Sequence, residues 1–229
     1  MNCTLLLLNG GIGSRVGQPH PKQLIKINGI PMIVYSLISA SLVDEINEII
    51  INYPLGYKEA IENIVSDYAI KKKVIYIEGG TTRQESVYKM LQHSSNETVL
   101  IHESARPLVT KKHFENLLKS SHFNVGLMIE IPFTVVPVDT TTHLITGVLD
   151  RSRLRNVQLP QKFDVSDLLK AHEWAILNNK KYTEDTSLCT DYGHGIEVYY
   201  LDGSERNIKI TTSEDIKIAS FLLGGQYNE

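Results

Sequence analysis

An α/β fold with a mostly parallel sheet is what this sequence predicts. Short apolar runs alternate with amphipathic stretches up to residue 131, a pattern that needs crossover connections between parallel strands. Three glycine-rich or polar segments directly follow strand candidates, at the edge where such sheets bind ligands. The 229 residues are 42% hydrophobic, enough for a real core, yet no run approaches a membrane span.

The elements follow in order. Residues 4–8, Thr4 followed by four leucines, read as a buried strand. Residues 31–41 read as a helix with Pro31 suited to its first turn. The 46–51 strand is rich in β-branched Ile. The 58–68 helix sets Ile61, Ile64 and Val65 on one face. Then come strand 74–77, helix 83–91, strand 99–102, helix 111–120 and strand 125–131.

The segment 132–160 breaks the alternation. It carries Pro132, Pro137, three consecutive threonines and Gly147 among alternating apolar residues, and reads as a projecting antiparallel arm. Helical periodicity returns over 165–177, and strands are expected at 196–201 and 207–210. Ser213 suits the N-cap of a last helix, with Glu214 and Asp215 in its first turn and Gly224 at its end. No repeat or linker interrupts the chain, so a single domain over 1–229 is expected, with a dimerisation arm at about 132–160.

Composition excludes several classes. A formal charge of −3 argues against a general nucleic-acid surface. Two cysteines, Cys3 and Cys189, make no disulfide framework and suit a reducing compartment. The first ten residues lack a basic segment and a long apolar run, so no targeting signal is read. A cytoplasmic protein without membrane partners is expected. The eight histidines show no zinc-type spacing.

The loop after the first strand reads Asn9-Gly10-Gly11-Ile12-Gly13-Ser14-Arg15. Glycines let backbone N–H groups approach phosphate oxygens, and Arg15 and Lys22 add cations. Walker A fails, because no Lys-Ser or Lys-Thr follows. The dinucleotide fingerprint fails too: Val16 stands at its third glycine, and the second strand runs to Asn52 rather than an acid.

Gly-x-Gly-x-Arg with Lys seven residues later resembles the nucleotidyltransferases that activate sugar and alditol phosphates. Four further segments match in the same order. Gly79-Gly80-Thr81-Thr82-Arg83-Gln84-Glu85-Ser86 looks like their base-recognition turn. His102-Glu103-Ser104-Ala105-Arg106-Pro107 is similar to His-Asp-x-x-Arg-Pro. Leu159-Pro160-Gln161-Lys162-Phe163 is similar to Thr-Pro-Gln-x-Phe, and Asn207-Ile208-Lys209-Ile210-Thr211 to Asn-Ile-Lys-Val/Ile-Thr. Together they resemble the CTP-dependent cytidylyltransferases that act on methylerythritol phosphate and ribitol 5-phosphate.

The resemblance implies a Rossmann-like three-layer sandwich of the nucleotide-diphospho-sugar transferase type. It implies CTP and a small polyol phosphate as substrates, Mg²⁺ as cofactor and a homodimer. Catalytic roles fall to Arg15, Lys22 and Lys209. CTP contacts fall to Asn9, Gly10, Gly11, Gly13, Gly79, Gly80, Arg83 and Ser86. Acceptor contacts fall to Arg106, Thr140, Arg151 and Thr211, with Arg151 serving the neighbouring subunit. Glu103 is expected near the metal.

Departures from the family pattern bear on the acceptor. Glu103 replaces Asp, Leu159 replaces Thr, and Thr142 stands where the methylerythritol enzymes often carry Lys. Ser104, Gly10-Gly11 and the missing Lys lean towards ribitol 5-phosphate, whereas Asp150-Arg151 leans towards methylerythritol phosphate. Ribitol 5-phosphate is therefore expected first and methylerythritol phosphate second. Use of UTP or GTP, or a nucleotide-binding protein without turnover, stand as further alternatives.

Overall fold

The computed structural model describes residues 2–10 and 21–224. Nine strands and seven α-helices occur among them. The strands are β1 (Cys3–Leu8), β2 (Lys26–Ile27), β3 (Ile30–Pro31), β4 (Ile46–Tyr53), β5 (Lys73–Glu78), β6 (Thr98–Glu103), β7 (Val125–Glu130), β8 (Arg155–Asp164) and β9 (Tyr199–Asp202). The helices are α1 (Met32–Ser41), α2 (Lys58–Asp67), α3 (Arg83–Leu91), α4 (Lys111–Lys119), α5 (Val165–Leu177), α6 (Asp185–Tyr192) and α7 (Ser213–Gly224).

Seven strands form one sheet in the order β5-β4-β1-β6-β8-β7-β9. β8 runs antiparallel to both its neighbours, and every other pairing is parallel. Alternation along β1 decides the layers. Leu5 and Leu7 face one side with Ile33 and Leu37 of α1, Ile61 of α2 and Phe114 of α4. Leu6 faces the other with Val87 of α3, Leu168 of α5 and Leu188 of α6. Side chains two apart share a face, so a doubly apolar strand must be covered on both faces. This is the expected three-layer sandwich. α7 joins through a smaller core containing Ile27, Leu108, Ile210, Ala219 and Leu223.

Two expectations are corrected, and one helix was not expected. The arm ends before Arg155, because 155–160 belong to β8 inside the main sheet. Gln158, Leu159 and Pro160 are buried there. What projects is roughly 131–154, closed by a bridge between Val138 and Ile145. Residues 207–210 form no strand. β1 and β8 already occupy both sides of β6, and this segment is held instead by Ile210 N–H donating to the Ala105 carbonyl at 2.7 Å. α6 has no clear apolar period in the sequence; Glu184 caps it by accepting N–H bonds from Thr186 and Ser187.

Candidate active site

β1 and β6 flank the place where the chain reverses its direction across the sheet, the usual crevice of such folds. Leu8 is in register with Glu103, and Tyr53 with Glu78. The loops leaving β1, β4, β5 and β6 therefore share one edge. Gly11, Gly13 and Arg15 lie outside the described residues.

On one side of this edge the chain builds a tight turn between β5 and α3. The Gly79 N–H donates to the Tyr53 carbonyl at 2.9 Å. The Gly80 N–H donates to Ser86 Oγ at 3.0 Å, and that hydroxyl donates to the Thr82 carbonyl at 2.9 Å. Thr81 gives both its N–H and its hydroxyl to the Glu85 carboxylate, each at 2.7 Å. These bonds hold the exposed Glu85 carboxyl down at about 2. A Cβ on Gly80 would fall 2.6 Å from Glu85 side-chain carbons, so only glycine fits. Gly79, Gly80 and Ser86 are brought together as expected.

Arg83 faces away from that turn. Its guanidinium pairs with Asp185 at 2.6 Å, and Asp185 also lies 3.3 Å from His172 Nε2. Burial alone would raise the Asp185 pKa, but Arg83 and the neighbouring His172 outweigh it and hold it at about 2. Arg83 thus ties α3 to α5 and α6 and supports the turn.

Asn52 was missed by sequence reasoning. Its Oδ1 accepts the Asn9 N–H at 2.6 Å. Its Nδ2 occupies the space where a Cβ on Gly10 would fall, and lies 3.0 Å from a Cβ built on Gly79. Asn52 therefore wedges between the two glycine turns and explains why both need glycine. The only sequence signal was its place at the end of a strand next to the glycine loop. Asn9 is buried, and its side-chain polar atoms have no partner among the described residues.

The other side of the edge is charged. Glu103 Oε1 accepts from Arg106 Nε at 2.8 Å, and Oε2 accepts from Lys209 Nζ at 2.6 Å. Arg106 also donates to the Asn207 carbonyl at 2.7 Å, while Asn207 Nδ2 donates to the Leu159 carbonyl at 2.7 Å. Lys22 Nζ donates to the Ile210 carbonyl at 2.9 Å, one residue beyond Lys209. The segment 207–210 thus gathers Lys22, Arg106 and Lys209. Burial opposes ionisation of Glu103, but the two cations win and lower its pKa. Thr211 donates its N–H and hydroxyl to Asp215, each at 2.7 Å, at the start of α7.

A protein-built Mg²⁺ cage does not fit these residues. Both Glu103 oxygens are committed to cations, and no cluster of three acidic, His or Cys ligands occurs among the described residues. Thr140 and Arg151 are not drawn into the cleft. Both are exposed on the arm, where Arg151 donates to the Pro132 carbonyl at 3.0 Å and so closes the arm's base.

Two residues read from the sequence as bearing on the acceptor are structural. Ser104 is fully buried, with its N–H donating to the Leu8 carbonyl at 3.0 Å. Leu159 is buried in the core with Leu6, Ile101 and Phe163.

The model of the 2-C-methyl-D-erythritol 4-phosphate cytidylyltransferase family matches residues 3–225. The chain belongs to this family. It is a CTP-dependent cytidylyltransferase by that membership. The family enzyme of Nostoc punctiforme is 36% identical over 224 residues, covering 96% of this chain and 97% of that one. The Bacillus cereus enzyme of the same name is 34% identical over 221 residues, with the same coverage. The solved 4-diphosphocytidyl-2C-methyl-D-erythritol synthase of Anaerococcus prevotii superposes with a TM-score of 0.86 at 26% identity, covering 97% of this chain and 96% of that one. No helix among the described residues of this family member is long and apolar enough to cross a membrane.

Proposed function

We propose that this enzyme transfers CMP from CTP to 2-C-methyl-D-erythritol 4-phosphate, releasing pyrophosphate. The observation that carries the acceptor is similarity along almost the whole chain to enzymes named for that substrate. This reverses the order read from the sequence. Ribitol 5-phosphate was favoured partly through Ser104 and Gly10. Ser104 is out of reach of any substrate, and Gly10 answers to Asn52.

The reaction asks little covalent chemistry of the protein. The acceptor phosphate is already anionic and attacks the α-phosphorus in line with the departing pyrophosphate. Positioning and charge neutralisation then set the rate. In this proposal Gly79, Gly80 and Ser86 hold cytosine in a turn too tight for a purine. Asn9 and Gly10, with Gly11 and Gly13, receive the triphosphate. Arg15, Lys22 and Lys209 neutralise charge that develops on the phosphoryl oxygens. Arg106 matches the acceptor phosphate, for which a planar guanidinium is suited. Thr211 flanks that position.

Mg²⁺ belongs to the proposal as a companion of the triphosphate. A hard cation that keeps its waters and takes phosphate oxygens needs no protein cage. It would supply further neutralisation there. Assembly as a homodimer is supported by the arm, which exposes Phe133, Val138, Leu144, Ile145 and Val148. In that dimer Thr140 and Arg151 would reach the acceptor in the partner's cleft.

The deciding experiment is kcat/KM with CTP for both acceptors under one set of conditions. At least tenfold preference for methylerythritol phosphate is expected. Equal use, or preference for ribitol 5-phosphate, overturns the assignment. Thermal shift with the four nucleoside triphosphates checks the base, with CTP expected to stabilise most.

A further inference from the structure

Glu103 sits between two cations that the reaction needs for phosphate. Each oxygen takes one of them: Oε1 the Arg106 guanidinium at 2.8 Å, Oε2 the Lys209 ammonium at 2.6 Å. The carboxylate side chain is only 12% exposed, and so is shielded from water, whereas Lys209 is 42% exposed and open to a ligand. Arg106 has a second anchor on the Asn207 carbonyl, at 2.7 Å, while Glu103 is the only ion-pair partner shown for Lys209 among the described residues.

The arrangement is that of an anion already bound in a phosphate site. A carboxylate and a phosphate present similar oxygens to the same N–H donors, so the two compete. The length of glutamate matters here. Two oxygens must meet two cations held by different loops, and aspartate is shorter by one methylene.

We propose that Glu103 is a positioning residue, a built-in counter-ion that holds Lys209 and Arg106 towards the cleft and yields Lys209 to substrate phosphate, and that it is not a ligand of the catalytic metal. The proposal rests on the cytidylyltransferase reading of the site. In the empty enzyme Glu103 keeps the two cations from repelling each other and fixes where they point. When phosphate arrives, the more exposed Lys209 exchanges its carboxylate partner for a phosphoryl oxygen. Arg106 stays oriented by Asn207. Ground-state binding of phosphate is weakened by this competition, and the orientation it preserves serves the transition state.

The test compares wild type with Glu103→Gln, which keeps the shape and removes the charge. Inorganic pyrophosphate and CTP are titrated calorimetrically in EDTA. The expected result is three- to tenfold tighter metal-free binding in the variant, at least tenfold lower kcat, and a Mg²⁺ activation constant within about twofold of wild type. Unchanged or weaker metal-free binding overturns the proposal, as does a tenfold rise in the Mg²⁺ constant, which marks a metal ligand. Lys209→Met supplies the second arm. The gain from Glu103→Gln should vanish in the double variant, and its persistence there overturns the proposal. Glu103→Asp guards against a folding defect: it keeps the charge, cannot span both cations, and should show the same binding gain at a smaller size. If wild type fails to turn over CTP with either acceptor, the functional reading falls, while the pyrophosphate titrations still test the counter-ion.

Discussion

The cleft and the arm carry functional candidates in opposite ways. In the cleft, most described candidates are tied to their own chain. Lys209, Arg106 and Glu103 form one ion-paired unit, Ser86 and Gly80 close one turn, and Arg83 is locked on Asp185. On the arm, among the described residues, Thr140 has no such anchor and the Arg151 side chain reaches only the Pro132 carbonyl, while the apolar residues around them stay exposed. The cleft is preorganised by folding. The arm is organised only as far as a short ribbon can organise itself, and in the proposed dimer a second subunit would supply the rest. Charge preorganised in a low-dielectric cleft costs no reorganisation during reaction, and this is the reason to place the cations there.

The sharpest way to break this contrast is to free a cleft residue. Asp185→Asn leaves Arg83 without its anion. Removing one partner of a buried pair costs about 3–5 kcal/mol, and the partial exposure of Arg83 puts the expectation at about 3 kcal/mol. Denaturant unfolding measures it. CTP affinity should fall alongside, since Arg83 opens the helix behind the base turn. A loss under about 1 kcal/mol would mean the turn is held by its own bonds alone.

Next come the cations. Lys22→Ala and Lys209→Ala should each lower kcat about 100-fold, or about 2.7 kcal/mol, with folding retained. Arg151→Ala should also be nearly inactive, for a different reason. If its site lies across the dimer, mixing Arg151→Ala with Lys209→Ala subunits should restore about a quarter of wild-type activity. Half of the dimers are then mixed, and each has one intact cleft. Absence of rescue would place Arg151 in its own subunit's service. An active monomer by light scattering would end the division between the regions.

A smaller effect sits beneath the cleft. His102 is fully buried, 3.3 Å from the Arg106 carbonyl, and burial pushes its pKa down from 6.5 to about 3. Between those values the unfolded chain binds a proton that the folded chain refuses. Stability from this group is therefore complete above about pH 6.5 and lost as pH falls towards 3, at about 1.4 kcal/mol per unit. Unfolding of wild type and His102→Asn across that range should differ in slope by about one proton.

The smallest effect concerns the acceptor. Because Leu159 lies in the core, Leu159→Thr should change the preference between the two acceptors less than threefold, about 0.6 kcal/mol. A larger change in the ratio of kcat/KM would bring Leu159 back to the substrate.

By itself the sequence determined the parallel sheet, its helices and the carboxyl-edge loops. These are set by local pattern: apolar runs two-sided enough for a buried strand, helical periods between them, and glycines where backbone must approach a ligand. α3 and α5 were legible to the residue, since Thr82 and Asp164 cap them with their own side chains. Tertiary structure decided what depends on neighbours far along the chain. Residues 207–210 look like a strand, but both sides of β6 are taken by other strands, and the segment's carbonyls hold Lys22 and Arg106 instead. Asn52 and Asp185 carry no motif of their own, and Asn207 is read only as the first residue of the motif around Lys209. Their importance comes from hydrogen bonds across 43, 48 and 102 residues of sequence, which pattern within a window cannot register. Likewise Ser104 and Leu159 read as substrate-facing because they stand inside motifs, and only packing assigned their side chains to the interior.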